Sequence, residues 1–242
     1  MSANGAVDVK VDGWNELKGL KPTEALVVDD GSNDDTAYQV MRRAEEDPRI
    51  VLLRHATNLG YGKALRSGFE RARYDLVFFT DTDRQFRFDE FGGLLERIRN
   101  CDMVAGFRSP RQDAWNRRLL GHLWTSCIRV LHDVELRDLN CAFKLIRRDA
   151  LCSVPLKASG AFINAEIAIG LASRGYRIEQ CPVRHYPRTS GRQSGANLGV
   201  IVNAVSELLL YRDHHHSSEE SANASGPRNW ASRMASLTKT NR

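Results

Sequence analysis

Short apolar runs that each stop at a polar turn, with a helix-length amphipathic stretch after it, recur through the first half of the chain. Ala25-Leu26-Val27-Val28 stops at Asp29-Asp30-Gly31-Ser32, and a helix over about residues 34–46 follows, capped by Ser32 or Asn33. Ile50-Val51-Leu52-Leu53 leads to a glycine-opened helix over residues 60–73. Residues 75–80 form a further strand, Phe88 to Arg99 a helix with periodic apolar positions, and Met103-Val104-Ala105 another short strand. Strand and helix in alternation predict an α/β fold with a mainly parallel sheet covered on both faces. Such sheets bind ligands beyond the carboxyl ends of their strands.

The second half is patterned differently. Residues 113–131 predict an amphipathic helix, residues 141–146 a strand, residues 163–174 a helix and residues 176–183 a strand. A basic, turn-rich stretch covers residues 184–195, and an apolar helix covers residues 196–211. Val7, Val9 and Val11 alternate as in a short edge strand. The expected division is an atypical N-terminal segment (1–24), one domain (25–212) and a polar tail (213–242) that holds three consecutive histidines.

A chain of 242 residues buries one substantial core. Its net charge of +5 comes from scattered residues, with no dense Lys/Arg stripe, which argues against nucleic acid as a partner. Five cysteines without CxxC spacing fit reduced thiols, and the expected location is the cytoplasm or the cytoplasmic face of a membrane. No apolar run reaches the roughly 20 residues that span a bilayer, so any membrane contact is expected to be peripheral.

The strongest local signal is Asp81-Thr82-Asp83, directly after the strand Leu76-Val77-Phe78-Phe79. Two carboxylates one residue apart at a strand end can share a hard divalent cation, which in turn holds a diphosphate. Taken alone, such a pair reads equally well as a solvated turn. Asp29 and Asp30 mark a second acidic strand end, suited to accept hydrogen bonds from a ribose or a base. Gly60-Tyr61-Gly62-Lys63 opens a helix where backbone amides and the Lys63 charge can meet an anion. In the basic stretch, Arg188 and Arg192 can clamp phosphates with forked hydrogen bonds. Asp138, Asn140 and Lys144, then Arg147 and Arg148, and then Asn164 and Glu166 interrupt apolar segments and so can face a cleft. Glu166 reads either as a general base or as the partner of a buried arginine.

The ordered series VVDDGSNDDT, NLGYGKALRSGF, FFTDTDRQF, DLNCAFKLIRR, NAE and GYRIEQCPVRHYPRTSG resembles glycosyltransferase family 2, in particular its polyprenyl-phosphate branch. The resemblance covers about residues 24–211. It implies a GT-A fold, the Rossmann-like fold of nucleotide-diphospho-sugar transferases. It also implies Mn2+ or Mg2+ at Asp81 and Asp83 with Gln85 close by, Asp29, Asp30 and Asp81 near the nucleotide, and Arg188 on phosphate. The implied reaction inverts the anomeric carbon. Family members open with an apolar strand and a Pro-x-x-Asn-Glu turn, and nothing before Ala25 matches that pattern.

The expected activity is sugar transfer from a nucleotide-diphosphate sugar to a lipid-linked phosphate. That acceptor is already anionic, so the site needs charge screening more than a base, with Asp83 and Arg188 at its centre. Transfer to a sugar hydroxyl is the alternative, with Glu166 as the base. A non-catalytic remnant that only binds is the third reading.

Overall fold

In the computed structural model of the chain, residues 23–112, 115–187 and 198–216 are described. Strand β1 (Ala25–Asp29) pairs in parallel with β2 (Ile50–Arg54), Ala25 opposite Ile50. Parallel neighbours need a crossover, here the amphipathic helix α1 (Thr36–Glu46), whose buried Val40 packs with Ile50. Helix α2 (Tyr61–Arg71) follows β2.

A second sheet has the order β3 (Leu76–Phe79), β5 (Lys144–Arg147), β4 (Met103–Arg108), β6 (Ile178–Val183). Strands β3, β4 and β6 run one way, and β5 runs the other way between β3 and β4. Helix α3 (Phe91–Arg97) covers one face with Phe91 and Leu94, packed with Val104, Phe143 and Leu145. The other face carries the larger core, in which Val77, Phe79, Met103 and Ile146 meet Phe162, Ile163 and Ile167. Helix α2 touches both sheets. A Cβ added to Gly68 would lie 3.3 Å from Val28 of β1, and the Phe69 ring sits edge-on to Phe79 of β3 at 5.4 Å.

The remaining helices are α4 (Trp115–His132), the short α5 (Arg148–Cys152), α6 (Ile163–Ala172) and α7 (Leu198–His216). Helix α7 runs through the three histidines, beyond the expected boundary at 213. Polar composition marked that boundary, but no glycine or proline is present there to stop a helix. The alternating valines at 7–11, the arginines at 188 and 192 and residues 217–242 lie outside the described residues. No helix among the described residues is long and apolar enough to cross a membrane.

Candidate active site

The carboxyl ends of β1, β3 and β4 open onto one cleft of about 1900 Å³, whose lining includes Asp30, Asp81, Asp83, Gln85 and Arg108. The turn after β1 is tight because Gly31 adopts φ +72°, where a Cβ would come within 2.6 Å of the Thr57 carbonyl carbon. Asp29 is buried beneath this turn. It accepts the Ser32 N–H at 2.9 Å and lies 3.2 Å from Arg54 Nε. Asp30 faces the cleft, but its oxygens tie two loops together. Oδ1 accepts from Leu59 N (2.9 Å) and His55 Nδ1 (2.7 Å), and Oδ2 accepts from Gly60 N (2.8 Å). Burial pushes this carboxyl up, but the bonds from His55, Leu59 and Gly60 outweigh it and hold the group below its usual value.

The expectation of an anion site at the start of α2 needs correcting. The Gly60 amide is taken up by Asp30, and the Gly62 amide donates to Ser159 O at 2.8 Å. Gly62 is needed for that contact, since a Cβ would stand 2.5 Å from Ala158 O. Lys63 is exposed and is not part of the cleft lining.

Beyond β3, Asp81 is exposed and Asp83 half-buried at the rim. Asp83 Oδ1 accepts the Gln85 N–H at 3.1 Å across Arg84, which adopts φ +60°. Gln85 is buried and fastens this turn to Tyr186. Its Nε2 donates to Tyr186 O (3.3 Å), and its carbonyl accepts from Tyr186 N (2.9 Å). Among the described residues, no cluster of three His, Cys, Asp or Glu forms a complete metal cage. The donor chemistry nonetheless fits a hard cation. Each carboxylate has about four lone-pair sites, and diphosphate oxygens can complete the shell.

Three features go beyond what the sequence specifies, although Lys144 and Asn164 are among the polar groups expected to face a cleft. The Tyr61 hydroxyl bonds Asp81 and Asn164, and burial first, then the Asp81 charge, raise its pKa well above the usual value. Asn164 Oδ1 in turn accepts from Lys144 Nζ at 2.9 Å. Lys144 is fully buried, also donates to Leu139 O (3.0 Å) and Cys141 O, and stands 5.5 Å over the Phe79 ring. Burial pulls its ammonium down to about 8, against the pull of Cys141, Asp138 and Asp81. A buried polar chain therefore runs from the acidic pair into the core. The third feature is cationic. Arg108, Arg111 and Arg117 line the cleft, and Asp138 fixes Arg108 with bonds to Nε (2.6 Å) and Nη2 (2.9 Å).

Two expected site residues lie elsewhere. Arg147 pairs with Leu76 at the far end of β3 because β5 is reversed, roughly 10 Å along the strand from Lys144. Its guanidinium donates to Cys101 O (3.0 Å) and Ile98 O (2.7 Å), a structural role. Glu166 is 2% exposed, accepts from Lys157 N (2.8 Å) and Ala158 N (2.9 Å), and is not part of the cleft lining. Burial raises its pKa. It positions the 157–160 loop against α2 rather than facing a substrate.

Away from the acidic rim the cleft becomes apolar, walled by Leu120, Leu123 and Trp124 of α4 and Val205 and Leu208 of α7. Both helices bury little, Thr125 and Ile128 on α4 and Ala204 and Leu208 on α7, and expose much: Trp115 is 76% exposed, Leu123 59%, Val130 84% and Leu210 62%.

An α/β sheet with an acidic pair at the carboxyl rim of its cleft defines the GT-A glycosyltransferase fold, and solved structures share it. Glucosyl-3-phosphoglycerate synthase from Mycobacterium tuberculosis in complex with Mn2+ and uridine-diphosphate-glucose superposes with a TM-score of 0.59 at 19% identity, covering 88% of this chain and 76% of that one. The same synthase with Mg2+ and uridine-diphosphate gives 0.62 at 20% identity, covering 88% and 76%.

The chain belongs to glycosyl transferase family 2, which matches residues 14–154. It is 29% identical over 215 residues to the undecaprenyl-phosphate mannosyltransferase of Micrococcus luteus, covering 79% of this chain and 88% of the relative. It is 30% identical over 172 residues to the undecaprenyl-phosphate 4-deoxy-4-formamido-L-arabinose transferase of Pseudomonas aeruginosa, covering 69% of this chain. There the chain spans about half the relative's length, 49%.

Proposed function

We propose that this glycosyltransferase moves a sugar from a nucleotide-diphosphate sugar to a polyprenyl-phosphate type acceptor, with inversion, at the cytoplasmic face of a membrane. The observation that carries the reading is the continuity of the cleft. One cavity joins Asp81 and Asp83, then Arg108, Arg111 and Arg117, to the apolar walls of α4 and α7. A lipid phosphate has this same sequence of chemistry, an anionic head on a hydrocarbon tail. The exposed apolar sides of α4 and α7 suit a bilayer surface.

Asp81 and Asp83 would hold Mn2+ or Mg2+, which when bound supplies Lewis-acid stabilisation to the departing nucleoside diphosphate. Gln85 sets the turn that presents them. Tyr61, bonded to Asp81, and the Asn164–Lys144 chain behind it fix the orientation of that carboxylate. Asp30 builds the floor of the nucleotide side by closing the 55–60 loop. The cleft arginines screen the acceptor phosphate, so that two anions can approach for in-line displacement. Arg188 and Arg192 would add to this charge. A phosphate oxygen needs no deprotonation near neutral pH. A hydroxyl acceptor needs a base in the cleft, and the position of Glu166 on two backbone amides speaks against it in that role.

The test is transfer from radiolabelled guanosine- and uridine-diphospho-sugars, with Mn2+ present, to undecaprenyl phosphate in anionic vesicles or to a soluble glycoside. Labelled lipid is expected. Asp83→Asn should lower the rate by about 10²–10³ with an unchanged Tm. Product formed only on the glycoside refutes the proposal.

A further inference from the structure

Glu207 is a carboxylate that the reaction as described does not use. It is half-buried on α7, in the same turn as Ala204 and Leu208, which face the core. Its Oε1 accepts three hydrogen bonds, from Ser159 N (2.8 Å), Ser159 Oγ (2.9 Å) and Gly160 N (3.1 Å). Its Oε2 is buried and has no hydrogen-bond partner among the described residues. A side chain at position 160 would meet that oxygen, since a Cβ on Gly160 would stand 3.2 Å from it. A fastening that served stability alone would pair both oxygens, because an unpaired buried acceptor costs its desolvation. Three donors gathered on one oxygen point instead to control over where Ser159 and Gly160 sit.

Those two residues line the cleft, and Ser159 meets the start of α2, where its carbonyl accepts the Gly62 amide at 2.8 Å. A Cβ on Gly60 would come within 2.7 Å of Ser159 O, and one on Gly62 within 2.7 Å of the Ser159 carbonyl carbon. Backbone presses on backbone here, so residues 60–62 must follow any shift of residue 159. Between the two glycines stands Tyr61, whose hydroxyl bonds Asp81. The other partner of that hydroxyl, Asn164, lies four residues past Gly160 in the first turn of α6. Both routes from Glu207 therefore end on Tyr61. Glu166 holds the two preceding amides, of Lys157 and Ala158, and comes from the adjoining helix α6. Glu207 comes from α7, whose Val205 and Leu208 wall the apolar part of the cleft.

We infer that Glu207 is a positioning residue. It ties α7 to the backbone at 159–160 and, through Gly62 and Tyr61, sets the orientation of the Asp81 carboxylate. This rests on the proposed transfer only in making Asp81 a cation ligand and α7 a wall for the acceptor's chain. The helix that carries the acceptor's hydrocarbon then also aligns the cation site of the donor, and one frame places both substrates. A loosened Glu207 should be felt at Asp81, on the opposite side of the cleft from the chain it helps to seat.

A double-mutant cycle on the full chain tests this, with Mn2+ titrated in the presence of guanosine or uridine diphosphate and no acceptor. Glu207→Gln removes the charge that strengthens the three bonds. It should weaken Mn2+ binding about fivefold or more. In the Tyr61→Phe background, where the link to Asp81 is already cut, the same change should cost less than about twofold. Glu166→Gln, which loosens only the neighbouring amides, should leave the affinity nearly unchanged. In the metal-free chain, Glu207→Gln should speed exchange of the Gly62 amide about tenfold, with the Gly106 amide, bonded to Phe143 O, unchanged. Equal weakening in both backgrounds overturns the inference. So does a lowered Tm with unchanged Mn2+ affinity, which would make Glu207 a structural fastening and no more. A non-additive cycle beside an absence of lipid product would remove the proposed acceptor and leave the role of Glu207 standing. No Mn2+ binding by the parent chain overturns both.

Discussion

Asp138→Asn removes one charge from an ion pair that is almost fully enclosed: the Asp138 side chain is 6% exposed and that of Arg108 11%. Three Arg108 donors converge on the carboxylate, Nε at 2.6 Å, Nη2 at 2.9 Å and the backbone N–H at 3.3 Å, and Arg111 stands 4.0 Å away. Removing one member of such a buried pair costs about 3–5 kcal/mol. Asparagine keeps the shape and one acceptor, so the lower end, about 3 kcal/mol, applies. At about 2–4 °C per kcal/mol for a chain of this size, Tm falls by about 6–12 °C. The loss depends on pH with a definite sign. Burial pushes the Asp138 carboxyl up, but the Arg108 bonds, the Arg108 charge and Arg111 outweigh it and hold the group below 3.8. A depressed folded value gives stabilisation that is fully present above the unfolded value and lost as pH falls through the folded one. Urea melts at about pH 7 and about pH 3 should therefore show the gap between parent and variant closing at the lower pH. A deficit under about 1 kcal/mol at neutral pH, or a gap of the same size at both, refutes the reasoning. Affinity for the phosphate acceptor should weaken in parallel, since Arg108 lines the cleft and is one of the arginines proposed to screen that phosphate.

Lys144→Met tests the buried ammonium. Its folded value of about 8 lies below the ordinary 10.5, so between the two the unfolded chain holds more protons. The parent should gain stability relative to the variant as pH rises across that window, as followed by paired urea melts. Glu166→Gln keeps one acceptor oxygen for two amides and should cost about 1–3 kcal/mol of stability, with turnover per folded molecule nearly unchanged. A collapse in turnover with normal melting would return Glu166 to the chemistry.

The fold was legible wherever apolar period and turn chemistry agreed. The runs stopping at Asp29 and ending at Phe79 became β1 and β3, and the helix expected over about residues 34–46 became α1 (Thr36–Glu46). The acidic rim was legible for the same reason, since a carboxylate just past a strand end has few places to go. Which end of a strand a cation occupies was not legible. Arg147 follows its apolar run just as the aspartates follow theirs, but β5 runs backwards and carries it to the opposite edge. The Gly60-Tyr61-Gly62 segment drew attention to its glycines, while the hydroxyl between them makes the contact to Asp81. Arg108 offered a usable signal, a charge at the carboxyl end of β4 near the level of Asp81 beyond β3. Glu166 was undecidable, because a lone acid in an apolar helix looks the same whether it meets a substrate or two amides.

The bare leucines and valines along α4 and α7 also govern how the molecule behaves once purified. In plain buffer that oily strip has no counterpart, so copies will cling to one another and to plastic. Mild detergent masks it. If the acceptor is a polyprenyl phosphate, as proposed, detergent would also compete with it for the apolar walls of the cleft, so turnover measured in micelles should fall below turnover on liposomes.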